Sequence, residues 1–196
     1  MIRHLSYIIF IVPVITVAVS YIISFNYNYV ETCIPLIDGC TSISKVGRYG
    51  VSFYLYKFFI IPNAVLIILF WREIYNKIFK NKMMFVMSIM ACVFLIVYLC
   101  ALGFEGSIYR FMREIGIFVS FVLMPICQIW IIFSTTQKKL IAQYVLYLIV
   151  FLYIILACAY FYILPFDNAN YENVIEWNFA LLIFLFFPIF SYSITT

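Results

Sequence analysis

The chain has 196 residues, of which 67% are hydrophobic and 10% are charged, and its formal net charge is +4. Soluble domains are roughly half apolar and about one quarter charged, so this composition excludes a soluble globular domain and predicts a chain surrounded mainly by lipid. The basic residues are not gathered into one patch, so we expect no nucleic-acid partner.

Six stretches of the chain are apolar and long enough to cross a membrane as helices. A hydrocarbon core about 30 Å thick takes roughly 20 helical residues. Backbone N–H and C=O groups without hydrogen-bond partners are very unfavourable in lipid, so these stretches cannot be irregular. A β-barrel would instead show short segments of alternating hydrophobicity. The first stretch is too long, and its downstream flank too bulky, for a cleaved signal peptide, so we expect it to remain as an anchor. We predict an all-α polytopic bundle, a single transmembrane domain over residues 1–196, with helices at 6–25, 52–71, 83–103, 115–134, 141–163 and 178–194.

The positions of lysine and arginine in the short connections predict the orientation of the helices. Bases concentrate on one side of the predicted bundle, namely Arg3, Arg72, Lys77, Lys80, Lys82, Lys138 and Lys139. The positive-inside rule assigns that side to the cytoplasm. The segments on the other side, 28–51, 104–114 and 164–177, are mixed or acidic. We therefore expect both termini in the cytoplasm, in a multi-pass integral protein of an inner or plasma membrane or of an endomembrane.

The first outward segment contains two cysteines, Cys33 and Cys40, with six residues between them. Pro35 and Gly39 lie in this interval and let the chain turn back. The outer side of a membrane is usually oxidising, which favours a disulfide. Closing so small a loop would stabilise it by roughly 2–3 kcal/mol in the chain-entropy model. The alternative is two free thiols.

Three cations follow the cysteines at the start of the second predicted helix. Lys45 and Arg48 precede the helix, and Lys57 lies about one and a half turns inside it. A lysine at the bilayer centre costs about 2.5–3.5 kcal/mol on insertion scales. Lys57 can avoid most of this by extending toward the interface; otherwise it has a partner or an anionic ligand.

The second outward segment brings two arginines to the edge of the hydrocarbon. Gly103 is predicted to stop one helix and Ser107 to cap the next. Arg110, Arg113 and Glu114 then follow at helical spacing, so they share one face and Arg110 can pair with Glu114. The planar guanidinium group suits phosphate. Ordinary headgroup contact is one interpretation and a dedicated anionic-headgroup site is the other.

Several carboxylates on the same side could support these cations. Those nearest to them in sequence are Asp38, Glu105 and Glu114. The third outward segment adds Asp167, Glu172 and Glu176. Glu172 and Glu176 are four residues apart and would repel each other on a helix unless a cation lies between them. A solvated acidic surface is the simple interpretation, and Arg48 or Arg113 as partner is the alternative.

Motifs for catalysis or metal binding are absent from the sequence. The single histidine, His4, lies on the predicted cytoplasmic side, so neither a histidine metal site nor a histidine-based triad can form. No P-loop, GxSxG or dinucleotide motif occurs. We therefore predict no cofactor and no metal, and an enzyme here would have to use carboxylate, lysine, tyrosine or cysteine side chains.

Two stretches carry a resemblance to a known family. They are "DGCTSISKVGRYG…FYLYKFFIIPNAVL" and "LGFEGSIYRFMREIGIFVSF". Together they resemble the six-helix membrane family of the DRAM proteins (damage-regulated autophagy modulators), the fibroblast-growth-factor-receptor activating protein and the GPI-anchor remodelling proteins. In this family a short turn precedes helix two, here Ser42, Ile43, Ser44 and Gly47. The resemblance implies a membrane protein concerned with lipids or lipid-anchored proteins, and no catalytic residue.

Three classes of function fit these observations. The preferred one is a lipid-associated protein whose cationic outer surface, including Arg48, Lys57, Arg110 and Arg113, binds anionic headgroups and modulates lipid or lipid-anchor handling. The alternative is an assembly subunit of a larger complex, with other membrane proteins as partners. A channel or transporter has less support because few charges point into the mid-bundle.

Overall fold

A computed structural model describes residues 1–136, 138–163 and 169–194. These residues form helices and connecting turns without any strand. In chain order the helices are α1 (Ile2–Asn26), α2 (Pro35–Asp38), α3 (Ile43–Val46), α4 (Gly50–Lys77), α5 (Lys82–Ala101), α6 (Ser107–Ser134), α7 (Leu140–Ile163) and α8 (Ala169–Ile194).

Six of the helices in the described residues are long and apolar enough to span a bilayer. They are α1, α4, α5, α6, α7 and α8, which confirms the predicted all-α bundle of six transmembrane helices. Helical backbone is expected because each N–H and C=O group must find a partner within its own segment in lipid.

Two of the long helices begin more than two turns before the predicted apolar stretches. α6 starts at Ser107 rather than 115, and α8 starts at Ala169 rather than 178. Hydropathy marks where a helix becomes apolar, whereas the backbone ladder continues through the polar interface. As a result, the charged residues next to these stretches lie on the first turns of long helices.

The turn between α5 and α6 uses glycine at both of its ends. Gly103 follows the end of α5 with a φ of +85°, as the predicted helix stop requires. The predicted cap at Ser107 was wrong: the N-cap is Gly106, with a φ of +117°, and Ser107 is the first helical residue. The chain enters α6 through a backbone conformation that glycine adopts without strain.

The helices pack in an order that leaves one gap. The closest neighbours are α5 with α6, α1 with α4, α7 with α8, α4 with α5, and α1 with α8. α6 and α7 are consecutive in the chain but make few contacts with each other, and α6 also contacts α8 only sparsely. A cleft therefore lies between α6 on one side and the α7–α8 pair on the other.

Aromatic rings fill the centre of the bundle on the side away from this cleft. Phe70 and Trp71 of α4 contact Phe186 and Phe187 of α8, with ring centroids 5.1–6.5 Å apart. Each of these four side chains is fully buried. Aromatic pairs add about 0.5–1.5 kcal/mol beyond the area that they bury, so this cluster is a main contact between α4 and α8.

Serines allow α1 and α4 to approach closely. Ser52 of α4 lies 3.1 Å from the Ser24 hydroxyl and donates to the Ser20 carbonyl. Ser24 donates to the carbonyl of Val46 in α3. Small residues with hydroxyl groups are typical of tight helix–helix interfaces in membranes.

A buried side-chain amide connects α6, α7 and α8. Gln128 of α6 donates from Nε2 to the Ile183 carbonyl of α8 over 3.0 Å. Its Oε1 accepts a short hydrogen bond from the Tyr153 hydroxyl of α7. Gln128 lies one turn after Pro125, and its side chain is satisfied by neighbouring helices instead of opening toward a pore.

The segment 27–49 contains α2 and α3, and we call it the disulfide segment. The predicted bond between Cys33 and Cys40 is present, with the two Cα atoms 6.4 Å apart. Ser42 caps α3 by accepting from the Lys45 amide. We call the end of the bundle that carries this segment the disulfide end.

The disulfide segment is fastened to the first turns of α8. Asn173 donates to the Gly39 carbonyl, Trp177 to the Thr41 carbonyl and Asn178 to the Leu36 carbonyl, over 2.7–2.9 Å. These three donors hold irregular backbone in place where no regular ladder could do so. The disulfide segment is therefore part of the bundle and not a free loop.

Candidate functional site

A large cavity lies at the disulfide end. Its volume is about 960 Å³. α6 forms one wall, α7 and α8 form the opposite wall, and Ser42, Ser44 and Arg48 of the disulfide segment close it on a third side. This is the gap that the weak contact between α6 and α7 leaves, and we call it the α6–α7 cleft.

Two arginines enter the α6–α7 cleft from the first two turns of α6. Arg110 is exposed, whereas Arg113 is half-buried. The Nη1 atom of Arg113 donates to the carbonyls of Ala101 and Phe104, over 3.2 and 2.7 Å. A cation at the carboxyl end of α5 is favourable because unsatisfied carbonyls concentrate there. Arg113 is thus held in place by the end of α5, and Arg110 extends freely beside it.

A third arginine, Arg48, lies at the inner edge of the cleft. It is half-buried, and its Nη2 atom is 3.5 Å from the Ser44 hydroxyl. Its Nε atom is buried and has no hydrogen-bond partner among the described residues. Leaving a buried charged donor without an acceptor is unfavourable by roughly 1–3 kcal/mol or more. Among the described residues, Arg48 thus keeps one unpaired donor at the edge of the cleft.

Three glutamates line the same cleft. Glu114 lies on α6, and Glu172 and Glu176 lie one turn apart on α8. The carboxylate of Glu176 accepts from the backbone amides of Ile43 and Ser44 and interacts with the Arg48 guanidinium. This interaction connects the disulfide segment with α8. No ion pair joins Arg48 to Glu172 or Glu176 among the described residues.

The charges in the cleft balance. Three arginines, Arg48, Arg110 and Arg113, face three glutamates, Glu114, Glu172 and Glu176. The sequence pattern predicted a cationic outer surface because the second and third outward segments are far apart along the chain. The extension of α8 to Ala169 places the acidic residues inside the same cavity.

Below the charged residues the cleft is apolar. Phe118 and Val122 of α6 and Leu156 and Ala157 of α7 line this part. Phe118 is 59% exposed, so this part of the cleft opens sideways onto whatever surrounds the bundle. In a membrane the surroundings are acyl chains.

A second cavity continues the cleft toward the bundle axis. Its volume is about 240 Å³, and most of its lining is apolar side chains of α1, α4, α5, α6 and α8. Four residues line both cavities: Tyr98, Ile117, Phe121 and Glu176. Glu176 therefore lies where the charged cleft meets an apolar interior.

Lys57 lies outside the cleft and has partners within the protein. Its Nζ atom donates to the Cys100 carbonyl over 3.2 Å. The same atom lies 4.1 Å from the centroid of the Phe53 ring and 4.7 Å from that of Phe104. A carbonyl and two aromatic faces are a favourable environment for an ammonium group. The sequence left two explanations for Lys57, extension toward the interface or a partner, and the structure shows partners within the protein.

The other predicted residues lie near the disulfide end but do not line the cleft. Lys45 is exposed on α3, and Glu105 is exposed in the turn before α6. Asp38 accepts from the Ile34 amide over 2.8 Å and so closes α2 locally. No ion pair joins Arg110 to Glu114 in the described part of the chain. Asp167 lies outside the described residues.

Several lining residues could not be chosen from the sequence. Tyr98 and Tyr160 are aromatic positions in apolar helices, and the chain has 17 tyrosines with no feature to separate these two. Asn173 is likewise one polar residue among several. Only the packing of α5, α7 and α8 brings them to the cleft.

Neither the family models, nor the curated proteins, nor the solved structures contain a match to this chain. Within the described ranges no three histidine, cysteine, aspartate or glutamate side chains come together to hold a metal. The cleft instead combines charged side chains of both signs with an apolar opening.

Proposed function

We propose that the protein binds a membrane phospholipid in the α6–α7 cleft and takes part in the placement or handling of lipids or lipid anchors. The observation that carries the proposal is the order of side chains along the cleft. Arginines lie at the level of the helix ends, and an apolar wall begins within two turns of them. A phospholipid has the same order of groups, with phosphate at the interface and acyl chains below it.

The arginines are suited to phosphate in different ways. Arg113 is oriented by two carbonyls, Arg110 is exposed, and Arg48 lines the inner edge of the cleft. Preorganised guanidinium groups bind phosphate oxygens through paired, charge-assisted hydrogen bonds. The resemblance to the DRAM family agrees with a lipid-related role, and that relationship is itself a proposal.

The test is the amount of phospholipid that stays with the protein after purification in a mild detergent. Native mass spectrometry of the wild type should show bound phospholipid, and the double variant Arg110→Glu/Arg113→Glu should lose most of it. Lys82→Glu, an exposed change on the first turn of α5 at the other end of the bundle, serves as the control and should retain the lipid.

A further variant separates the cleft from a general cationic surface. Lys45→Glu changes an exposed charge at the disulfide end that does not line the cleft, so bound lipid should be unchanged. An equal loss in Lys45→Glu would contradict binding in the cleft. If the wild type and all variants carry no phospholipid, the proposal is wrong and a subunit of a larger complex becomes the better explanation.

A further inference from the structure

We infer that the α6–α7 cleft prefers a phospholipid whose headgroup carries a primary ammonium beside its phosphate, as phosphoethanolamine does. This inference rests on the proposed function and narrows its ligand. It follows from the acidic wall of the cleft, which a purely anionic headgroup would leave without a partner.

The α6 wall of the cleft carries two arginines and Glu114, whereas the charged residues of the α8 wall are glutamates only. Arg110 and Arg113 project from α6, whereas Glu172 and Glu176 project from α8, a helix that α6 contacts only sparsely. A ligand between the walls meets guanidinium groups on one side and carboxylates on the other. A headgroup with both a phosphate and an ammonium can satisfy both walls at once.

Among the described residues, Glu176 has partners within the protein and Glu172 forms no ion pair. Glu176 accepts from two backbone amides of α3 and interacts with Arg48. Glu172 is half-buried, and in the part of the chain that the structure describes no lysine or arginine forms an ion pair with it. A second carboxylate one turn from Glu176 is repelled by it, and a cation between the two removes that repulsion.

Tyr160 completes the surroundings of Glu172. It projects from α7 into the cleft and lies close enough to Glu172 and Glu176 to interact electrostatically with both. An aromatic ring beside carboxylates favours a cation, which its π face attracts. Carboxylates also accept hydrogen bonds, which a primary ammonium can donate and a trimethylated ammonium cannot. Glu172, Glu176 and Tyr160 together therefore favour an ethanolamine headgroup over a choline headgroup.

The test compares three phospholipids with the same acyl chains. The protein is purified in a neutral detergent. It then receives a limiting amount of phosphatidylethanolamine, phosphatidylcholine or phosphatidylglycerol. Bound lipid is then counted by native mass spectrometry. The wild type should bind phosphatidylethanolamine most tightly. Because a hydrogen bond to a charged group contributes about 1.5–3 kcal/mol, the preference over the other two should be roughly tenfold or more.

Glu172→Gln is the diagnostic variant because it removes a carboxylate charge that forms no ion pair among the described residues. It should reduce the preference for phosphatidylethanolamine over phosphatidylglycerol to near unity while phospholipid still binds. Glu105→Gln, an exposed change at the same end outside the cleft, is the matched control and should leave the preference unchanged. Free phosphoethanolamine should compete weakly, since it lacks the acyl chains that the apolar wall would contact.

The outcomes separate the two proposals. Equal or tighter binding of phosphatidylglycerol by the wild type would overturn the ammonium preference while leaving phospholipid binding intact. A preference that persists in Glu172→Gln would also overturn it. Competition by free phosphoethanolamine at the same concentration as the lipid would contradict a lipid ligand. If none of the three lipids binds, the proposed function itself is wrong.

Discussion

Asn63 of α4 donates its side-chain amide to the carbonyl oxygen of Ile9 on α1, over 3.3 Å. Ile9 lies four residues before Pro13, so its carbonyl would be the acceptor of the hydrogen bond that proline cannot donate. Asn63 therefore supplies the donor that α1 lacks at its proline. A polar side chain on one helix completes the backbone of its neighbour in the middle of an apolar bundle.

Replacing Asn63 should loosen the contact between α1 and α4. Asn63→Leu removes the donor and leaves the Ile9 carbonyl without a partner, and hydrogen bonds between membrane helices contribute about 0.6–2 kcal/mol. We expect a loss of that order in the free energy of unfolding, measured by denaturation in mixed micelles. Val65→Ala, at a lipid-exposed position two residues later, is the control. Equal stability of the two variants would contradict this role.

Gly39 should be required for the disulfide segment to dock on α8. Its φ is +64°, and a Cβ atom added there would lie 1.8 Å from the Asn170 carbonyl oxygen. Gly39→Ala should therefore release segment 27–49, which would exchange its amide hydrogens faster in mass spectrometry. Gly50→Ala is the matched control, because its φ is +55° but the nearest atom is 3.3 Å away, in the Tyr29 ring.

The control in this comparison also carries backbone strain, which makes the difference informative. A left-handed conformation costs a non-glycine residue roughly 1–2 kcal/mol, and both variants incur it. Only Gly39→Ala adds a clash with the backbone of α8. If both variants exchange segment 27–49 at the same rate, the close approach of Gly39 to α8 is not what holds the segment.

The disulfide predicts a definite thiol count. Of the six cysteines, Cys92, Cys100, Cys127 and Cys158 are free. Maleimide labelling of the denatured, unreduced protein should therefore modify four thiols, and labelling after reduction should modify six. Cys33→Ser/Cys40→Ser should lower the free energy of unfolding by about 2–3 kcal/mol, since it releases a closed loop.

An exposed free cysteine provides the comparison for this effect. Cys158→Ser changes a thiol on the exposed face of α7, so its stability should match that of the wild type. Six labelled thiols without reduction would show that the bond does not form. Equal stability of the double variant and Cys158→Ser would show that α2 is held by its contacts with α8 alone.

Membrane orientation can be tested at the two ends of the bundle. Glu105 lies in the turn between α5 and α6, and Lys80 lies in the turn between α4 and α5. A helix of 20 residues separates these turns, so they must lie on opposite sides if α5 spans the bilayer. In a cysteine-free background, Glu105→Cys should react with an impermeant maleimide from outside intact cells. Lys80→Cys should react only after lysis. Labelling of both in intact cells would contradict the topology.

Much of the site could be anticipated from local patterns. Arg110, Arg113 and Glu114 were expected on one helical face, and all three line the α6–α7 cleft. This succeeded because residues three and four apart on a helix are neighbours whatever surrounds them. The disulfide was predictable for the same reason, since its two cysteines are close in sequence.

The partners of these residues were not predictable in the same way. Lys57 was grouped with the arginines, yet it lies against Phe53 and Phe104 and does not line the cleft. Glu172 was expected in a loop, yet it faces the arginines from α8. Both outcomes depend on which helices are neighbours and on how far each extends beyond its apolar stretch.

The sequence by itself determined that this chain has six helices able to span a lipid bilayer, and that Cys33 and Cys40 can form a disulfide. These properties depend on composition and on residues close along the chain. Only the tertiary structure decided that α6 and α7 stay apart and that arginines and glutamates share the cleft between them. The reason is physical: acyl chains are as apolar as a helix interface, so hydropathy cannot distinguish the helix faces that meet each other from those that meet lipid.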